Sequence, residues 1–147
     1  MTLTKFPRYY EYYAKTFRID ETPDGGMVGY LHNWDTGRFD QRTDLIDKVL
    51  FATSTPDISR LDEDEFISET ESNRSRYLSG DGPIFPLYET IRALYAAAKS
   101  EGRRLTAEEW ALVMNLRRRT IRMWEDEFAR QAAGEPPSFE YRSKWDR

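Results

Sequence analysis

The sequence predicts an α+β fold: an N-terminal antiparallel meander of two or three strands packed with C-terminal helices that include a long antiparallel helix pair. Three observations lead there. A β-prone stretch opens with Tyr9, Tyr10, Tyr12 and Tyr13; two later helix starts share one capping grammar; and two helix-period apolar runs are joined by a short connection from Ser100 to Leu105. The expected organisation is a single domain over residues 1–134 and an aromatic, charged C-terminal tail over residues 135–147.

Composition narrows the function classes. At 147 residues the chain fits one domain of ordinary size with one packed core. It is 33% charged and 39% hydrophobic, but its 9 Tyr, 8 Phe and 4 Trp are far more aromatic side chains than a disordered chain carries. The absence of cysteine excludes disulfides, thiolate metal sites, iron–sulfur clusters and cysteine nucleophiles. Met1 to Arg8 lacks the apolar stretch of a signal peptide, and no run approaches the ~20 apolar residues of a membrane span. These features suit a soluble cytoplasmic protein. The net charge of -4 is uneven: residues 1–60 hold 8 basic and 9 acidic groups, residues 61–101 hold 4 and 9, and residues 102–147 hold 10 and 8. Neither a concentrated basic stripe nor the strong acidity of a DNA mimic is present.

In chain order, Tyr9 to Ile19 reads as a strand, rich in aromatic and β-branched residues. Side chains alternate between the faces of a strand, so Tyr9, Glu11 and Tyr13 share one side while Tyr10 and Tyr12 share the other. Glu11 is more comfortable in water, which predicts Tyr9 and Tyr13 outside and Tyr10 and Tyr12 in the core. Thr22-Pro23-Asp24-Gly25-Gly26 is a turn, Met27 to His32 a second strand, and Arg38-Phe39-Asp40 the start of a third. Residues 44–53 suit a helix through Leu45, Ile46, Val49 and Leu50, with a short buried strand from Val49 to Thr53 as the alternative. A chain break follows at residues 53–57.

Leu61-Asp62-Glu63-Asp64-Glu65-Phe66 and Leu105-Thr106-Ala107-Glu108-Glu109-Trp110 each place a capping side chain, a Glu three positions later and flanking apolar residues. Each reads as a capping box inside a hydrophobic staple. The first helix runs to about Leu78, followed by a loop at Ser79 to Pro83. A second runs from about Pro86 to Ser100 with Leu87, Ile91, Leu94 and Ala98 inward, and Gly102 stops it. The last runs to about Ala133 with Trp110, Val113, Leu116, Thr120, Trp124 and Phe128 on its core stripe, and Glu135-Pro136-Pro137 ends it.

Chemistry is sparse in this chain. His32 is the only histidine, and with Asp35 and Arg38 it forms a candidate catalytic group of base, orienting carboxylate and anion clamp at the hairpin end. No nucleophile motif accompanies it, and local turn hydrogen bonding explains the same residues. The acidic run Asp62 to Glu65 with Glu69 and Glu71 lacks the alternating ligands and glycine of a calcium loop, so it reads as helix-dipole complement or as a face for a basic partner. Arg117, Arg118, Arg119 and Arg122 are the one basic cluster, and three consecutive arginines fan too widely to line a nucleic-acid groove. No phosphate-binding glycine loop occurs, so neither a cofactor nor a metal is expected. Trp145 follows two prolines, and its local sequence does not oblige it to be buried.

An acidic, cysteine-free chain rich in Tyr and Trp fits a non-catalytic protein-binding role. Its concrete form is a bacterial-type immunity or inhibitor protein that neutralises a basic toxin or effector, with Tyr9, Tyr13, Asp64, Glu69 and Trp145 as partner-binding residues. A small enzyme using His32, Asp35 and Arg38 is one alternative. An RNA-associated protein using Arg117 to Arg122 is another.

Overall fold

The computed structural model describes residues 5–52 and 55–145. They form an α+β structure with a five-stranded antiparallel sheet and four α-helices, the last of them long, and the chain divides into two compact units between Thr70 and Glu71.

In the first unit, β1 (Arg8–Tyr12), β2 (Lys15–Glu21), β3 (Met27–His32) and β4 (Phe39–Gln41) form a meander, and β5 (Ile58–Leu61) pairs with the free edge of β1, giving the order β4-β3-β2-β1-β5. The expected single strand from Tyr9 to Ile19 is in fact a hairpin. Tyr12 lies opposite Lys15, and the intervening Tyr13 and Ala14 adopt φ of 48° and 69°, the positive values of a two-residue hairpin turn. Such turns normally carry Asn, Asp or Gly, so nothing in Tyr13-Ala14 announces one. The Tyr13 N–H donates to the Asp57 carbonyl at 2.8 Å, which ties the turn to the chain entering β5.

Both faces of the sheet are covered within this unit. On one, Tyr10, Phe17 and Ile19 pack with Leu45, Ile46 and Val49, supplied by a 3-10 turn at Thr43–Leu45 and by α1 (Ile46–Leu50). Residues 44–50 are therefore helical; Thr53 and Ser54, part of the expected chain break, lie outside the described residues. The turn passes so close to the sheet at Gly29 that a Cβ there would meet the Phe17 ring, the Arg42 carbonyl and Ile46. Gly29 uses that proximity: its carbonyl accepts from the Arg42 N–H at 2.7 Å. The opposite face is crossed by α2 (Glu63–Tyr77), whose Phe66 ring lies 4.3 Å from Tyr9 and 5.7 Å from Phe39. Further along, the Thr70 and Thr16 hydroxyls share a buried 2.8 Å hydrogen bond. The expected capping box opens α2: the Glu65 N–H donates to Asp62 Oδ1 at 2.7 Å and the Asp62 N–H to Glu65 Oε1 at 3.0 Å.

The second unit holds the end of α2, β6 (Leu78–Gly80), α3 (Ile84–Ser100), α4 (Ala107–Ala132) and β7 (Tyr141–Ser143). Of the stretch expected as a loop, Ser79 and Gly80 belong to β6 while Asp81 to Pro83 form the bend and turn that lead into α3; β6 pairs antiparallel with β7 from the stretch expected as a tail, Leu78 opposite Ser143. Leu78, Ile84, Tyr88 and Trp124 form a second hydrophobic cluster with Phe85, Phe128, Phe139 and Tyr141 against it, so the single expected core is replaced by two. Seven aromatic contacts of Phe85, Tyr88, Trp124, Phe128, Phe139 and Tyr141, with centroids 4.9–6.2 Å apart, build this cluster. The second capping box also forms, with the Glu109 N–H on Thr106 Oγ1 at 3.1 Å and the Thr106 N–H on Glu109 Oε1 at 2.9 Å.

Two stripe assignments need correction. In α3 the fully buried positions are Ile84 and Tyr88, with Ile91 and Ala98 as expected, while Leu87 and Leu94 are half-buried. In α4, Val113, Thr120 and Trp124 are buried as expected, but Trp110 is 47% exposed. It lines an open surface recess with Tyr95, Ala98 and Leu105. Among the described residues no helix is long and apolar enough to cross a membrane.

Candidate functional site

The path of α2 across the first unit's sheet brings acidic side chains of the sheet and the helix together. Glu11 lies opposite Thr16 in the β1–β2 ladder, and Thr16 touches Thr70, so the neighbouring Glu69 is brought onto Glu11. The Glu69 carboxyl is held above its ordinary value by burial first, then by the charge of Glu11, to which it also hydrogen-bonds, and last by the charge of Glu65. Three carboxylates thus gather where the sheet meets α2. Among the described residues no group of three or more His, Asp or Glu is arranged to hold a metal ion.

The residues singled out from sequence fall in different places. Glu69 is half-buried in this carboxylate group, and Asp64 is exposed in the first turn of α2. Tyr13 is 53% exposed at the hairpin turn, its ring edge-on to Tyr12 at 4.8 Å. Tyr9 departs from the expectation that it faces water: Phe66 covers its ring, because the face that carries Glu11 is the one α2 crosses. Tyr10 is buried as expected, and Tyr12 packs at the margin of the same core. Trp145 belongs to the second unit, is 72% exposed, and donates its backbone N–H to Ser143 Oγ at 3.2 Å.

At the hairpin end, His32 is fully buried, its ring 4.8 Å from Phe39 and its Nε2 hydrogen-bonded to the Gly37 carbonyl at 3.2 Å. The turn is organised by Asn33, whose Oδ1 accepts from the Asp35 and Thr36 N–H groups and whose Nδ2 donates to Asp40. Asp35 and Arg38 are exposed. This arrangement closes a turn and walls the imidazole off from solvent.

The second unit contains a buried polar chain that sequence reasoning missed. Trp124 Nε1 donates to the Tyr88 hydroxyl at 2.8 Å, Tyr88 donates to Glu71 Oε1 at 2.7 Å, and Arg74 Nη1 donates to Glu71 Oε2 at 2.8 Å, all fully buried. Arg74 also lies 5.4 Å from the Trp124 centroid. Burial, then the Glu71 charge, pushes the Tyr88 phenol well up, so it stays a donor. Glu71 and Arg74 stand three apart on a helix, which sequence alone reads as a surface pair. A second anchor is Glu127, which accepts from the Ser138 N–H at 2.9 Å, the Ser138 hydroxyl, Gln131 at 2.7 Å and Arg130 at 2.9 Å. Led by the Ser138 hydroxyl, these bonds bring its carboxyl down to about 2. They fix the chain after Pro137 to α4.

Of the arginine cluster, Arg117 and Arg118 are half-buried while Arg119 and Arg122 are exposed, the fan expected of consecutive helical positions. Arg117 lies 5.9 Å from the Tyr95 centroid and 6.0 Å from that of Trp110. No protein-family model, curated protein or solved structure matches the chain.

Proposed function

We propose that this is a non-catalytic protein-binding protein of the cytoplasm that engages a basic protein through the carboxylates of Glu11, Glu65 and Glu69, with the exposed Asp64 of the same helix and the exposed Tyr13 of the hairpin turn as further contacts. One observation carries the reading. Glu69 is partly desolvated against two like charges, an arrangement that opposes folding and that a Lys or Arg from a partner would relieve. An exposed tyrosine two residues from Glu11 adds an anchor of the kind protein interfaces favour. An immunity or inhibitor protein directed at a basic toxin or effector is the concrete form of this role.

The test is comparative capture from the native cell, using the full chain and its Glu11→Gln/Glu69→Gln and Tyr13→Ala variants as baits. The reading expects one stoichiometric basic protein that wild type retains, that salt releases, and that both variants lose. A captured set identical for wild type and variants would overturn it.

A further inference from the structure

The second unit carries two adjoining surface recesses whose chemistry differs, and the proposed protein-binding role uses neither. The first, of about 470 Å³, has Arg76, Arg92, Arg117 and Lys144 on its walls and the Ser72 and Ser75 side chains between them. Its one acidic wall residue, Glu71, is fully buried and already held by Arg74 and Tyr88. Arg92 and Lys144 are drawn together on a single backbone group: Lys144 Nζ donates to the Ser75 carbonyl at 3.1 Å, as does Arg92, which also reaches Ser75 Oγ at 2.7 Å. Glu89 pairs with Arg92, which still leaves an excess of cations in a chain of net charge -4. Lys144 is held below its ordinary value by desolvation and by the Arg92 charge, the condition an incoming anion reverses.

The second recess, of about 680 Å³, shares Tyr95 with the first and is lined by Ala98, Leu105 and Trp110 together with Lys99 and Arg104. Its two aromatic residues are the 40%-exposed Tyr95 and the exposed Trp110, and the Arg117 guanidinium lies within 6.0 Å of both ring centroids. Both volumes lie in the range of small-molecule sites, roughly 300–1,000 Å³. Guanidinium forks match phosphate oxygens, and exposed aromatic faces accept flat heterocycles by stacking.

We infer that this surface binds a nucleotide, with the phosphate in the Arg76–Arg92–Arg117–Lys144 recess and the base against Tyr95 and Trp110. The same chemistry is offered by a free nucleotide and by a nucleotide within a single strand. The strand would add contacts to Lys99 and Arg104 of the second recess.

The full chain is titrated with adenosine 5′-monophosphate, adenosine, inorganic phosphate and a 12-nucleotide oligoadenylate, followed by calorimetry and by tryptophan fluorescence. Variants Arg117→Gln, Lys144→Gln and Tyr95→Ala alter exposed or half-buried side chains, and their thermal midpoints are measured alongside. The inference expects saturable binding of the monophosphate, at least 10-fold tighter than adenosine or phosphate alone. Arg117→Gln and Lys144→Gln weaken it about 10-fold or more, and Tyr95→Ala weakens the monophosphate while sparing inorganic phosphate. Binding of the oligonucleotide alone with the same sensitivities supports a strand as the source. Absence of saturable binding by both nucleotide probes, or affinities that the three variants leave unchanged, overturns the inference. The variants here and those of the basic-partner test lie in different units, so failure of one leaves the other standing.

Discussion

Removing one hydroxyl from the second unit, by Tyr88→Phe, tests whether its buried polar chain holds the fold. The ring and its volume are kept, so no cavity opens and the hydrophobic contribution is unchanged. Two hydrogen bonds vanish instead: the Trp124 indole N–H loses its acceptor at 2.8 Å and Glu71 Oε1 loses its donor at 2.7 Å, both fully buried. A buried polar group left without a partner costs about 1–3 kcal/mol, with charged acceptors at the upper end. The indole contributes ~1 kcal/mol and the carboxylate ~2–3 kcal/mol, for a loss of about 3–4 kcal/mol. That is a large share of the roughly 5–15 kcal/mol of a whole domain. Urea unfolding followed by tryptophan fluorescence reads it directly. Because Glu71 is shared, a double-mutant cycle with Glu71→Gln should show coupling above ~1 kcal/mol. A loss below about 1 kcal/mol with no coupling would show that the network is neutral packing and does not hold the fold.

The remaining predictions concern pH, the hairpin and the cap of α4. Glu127 has a folded value of about 2, below its unfolded value, so its stabilisation is present above about pH 5 and is lost as pH falls toward 2; Glu127→Gln should flatten that acid limb in a pH series of thermal midpoints. Ala14→Gly should raise stability by ~0.5–1 kcal/mol, because glycine adopts the 69° φ of that turn without the penalty an L side chain meets; a decrease in urea unfolding would show that the turn is not held as described. Thr106→Ala removes the acceptor for the Glu109 N–H and should cost about 1 kcal/mol, whereas Thr106→Ser should restore most of it.

What the sequence disclosed follows the range of the physics involved. The capping boxes at Asp62 and Thr106 involve residues three apart and were legible in full, whereas the apolar run over residues 44–53 suited a helix and a short buried strand alike, and only the fold selects the helix at 44–50. The Tyr13-Ala14 turn was hidden, because an ordinary tyrosine and alanine are held there by the distant Asp57 carbonyl rather than by their own preferences. β6 and β7 are three residues each and pair across more than sixty positions, too short and too separated for any local pattern. The same limit applies to the candidate sites. Glu69 stood out as an acidic residue, but its encounter with Glu11 depends on where α2 crosses the sheet. The cations at Arg76, Arg92, Arg117 and Lys144 are scattered along nearly seventy residues and converge only in the folded unit.

In the proposed role Glu69 is held for a cationic partner at the expense of stability, and Glu69→Gln gives two readings of opposite sign. Its folded value is raised, so any stabilising contribution is present below its ordinary value and is lost as pH rises through the raised one. At neutral pH the substitution should therefore increase stability, by a few tenths of a kcal/mol for one like-charge contact that solvent partly screens. The same variant should bind the basic partner retained by wild type more weakly, with a shallower dependence on salt. Higher stability together with lost binding is the expected result; a variant that is less stable, or that binds as wild type does, rules out that role for Glu69.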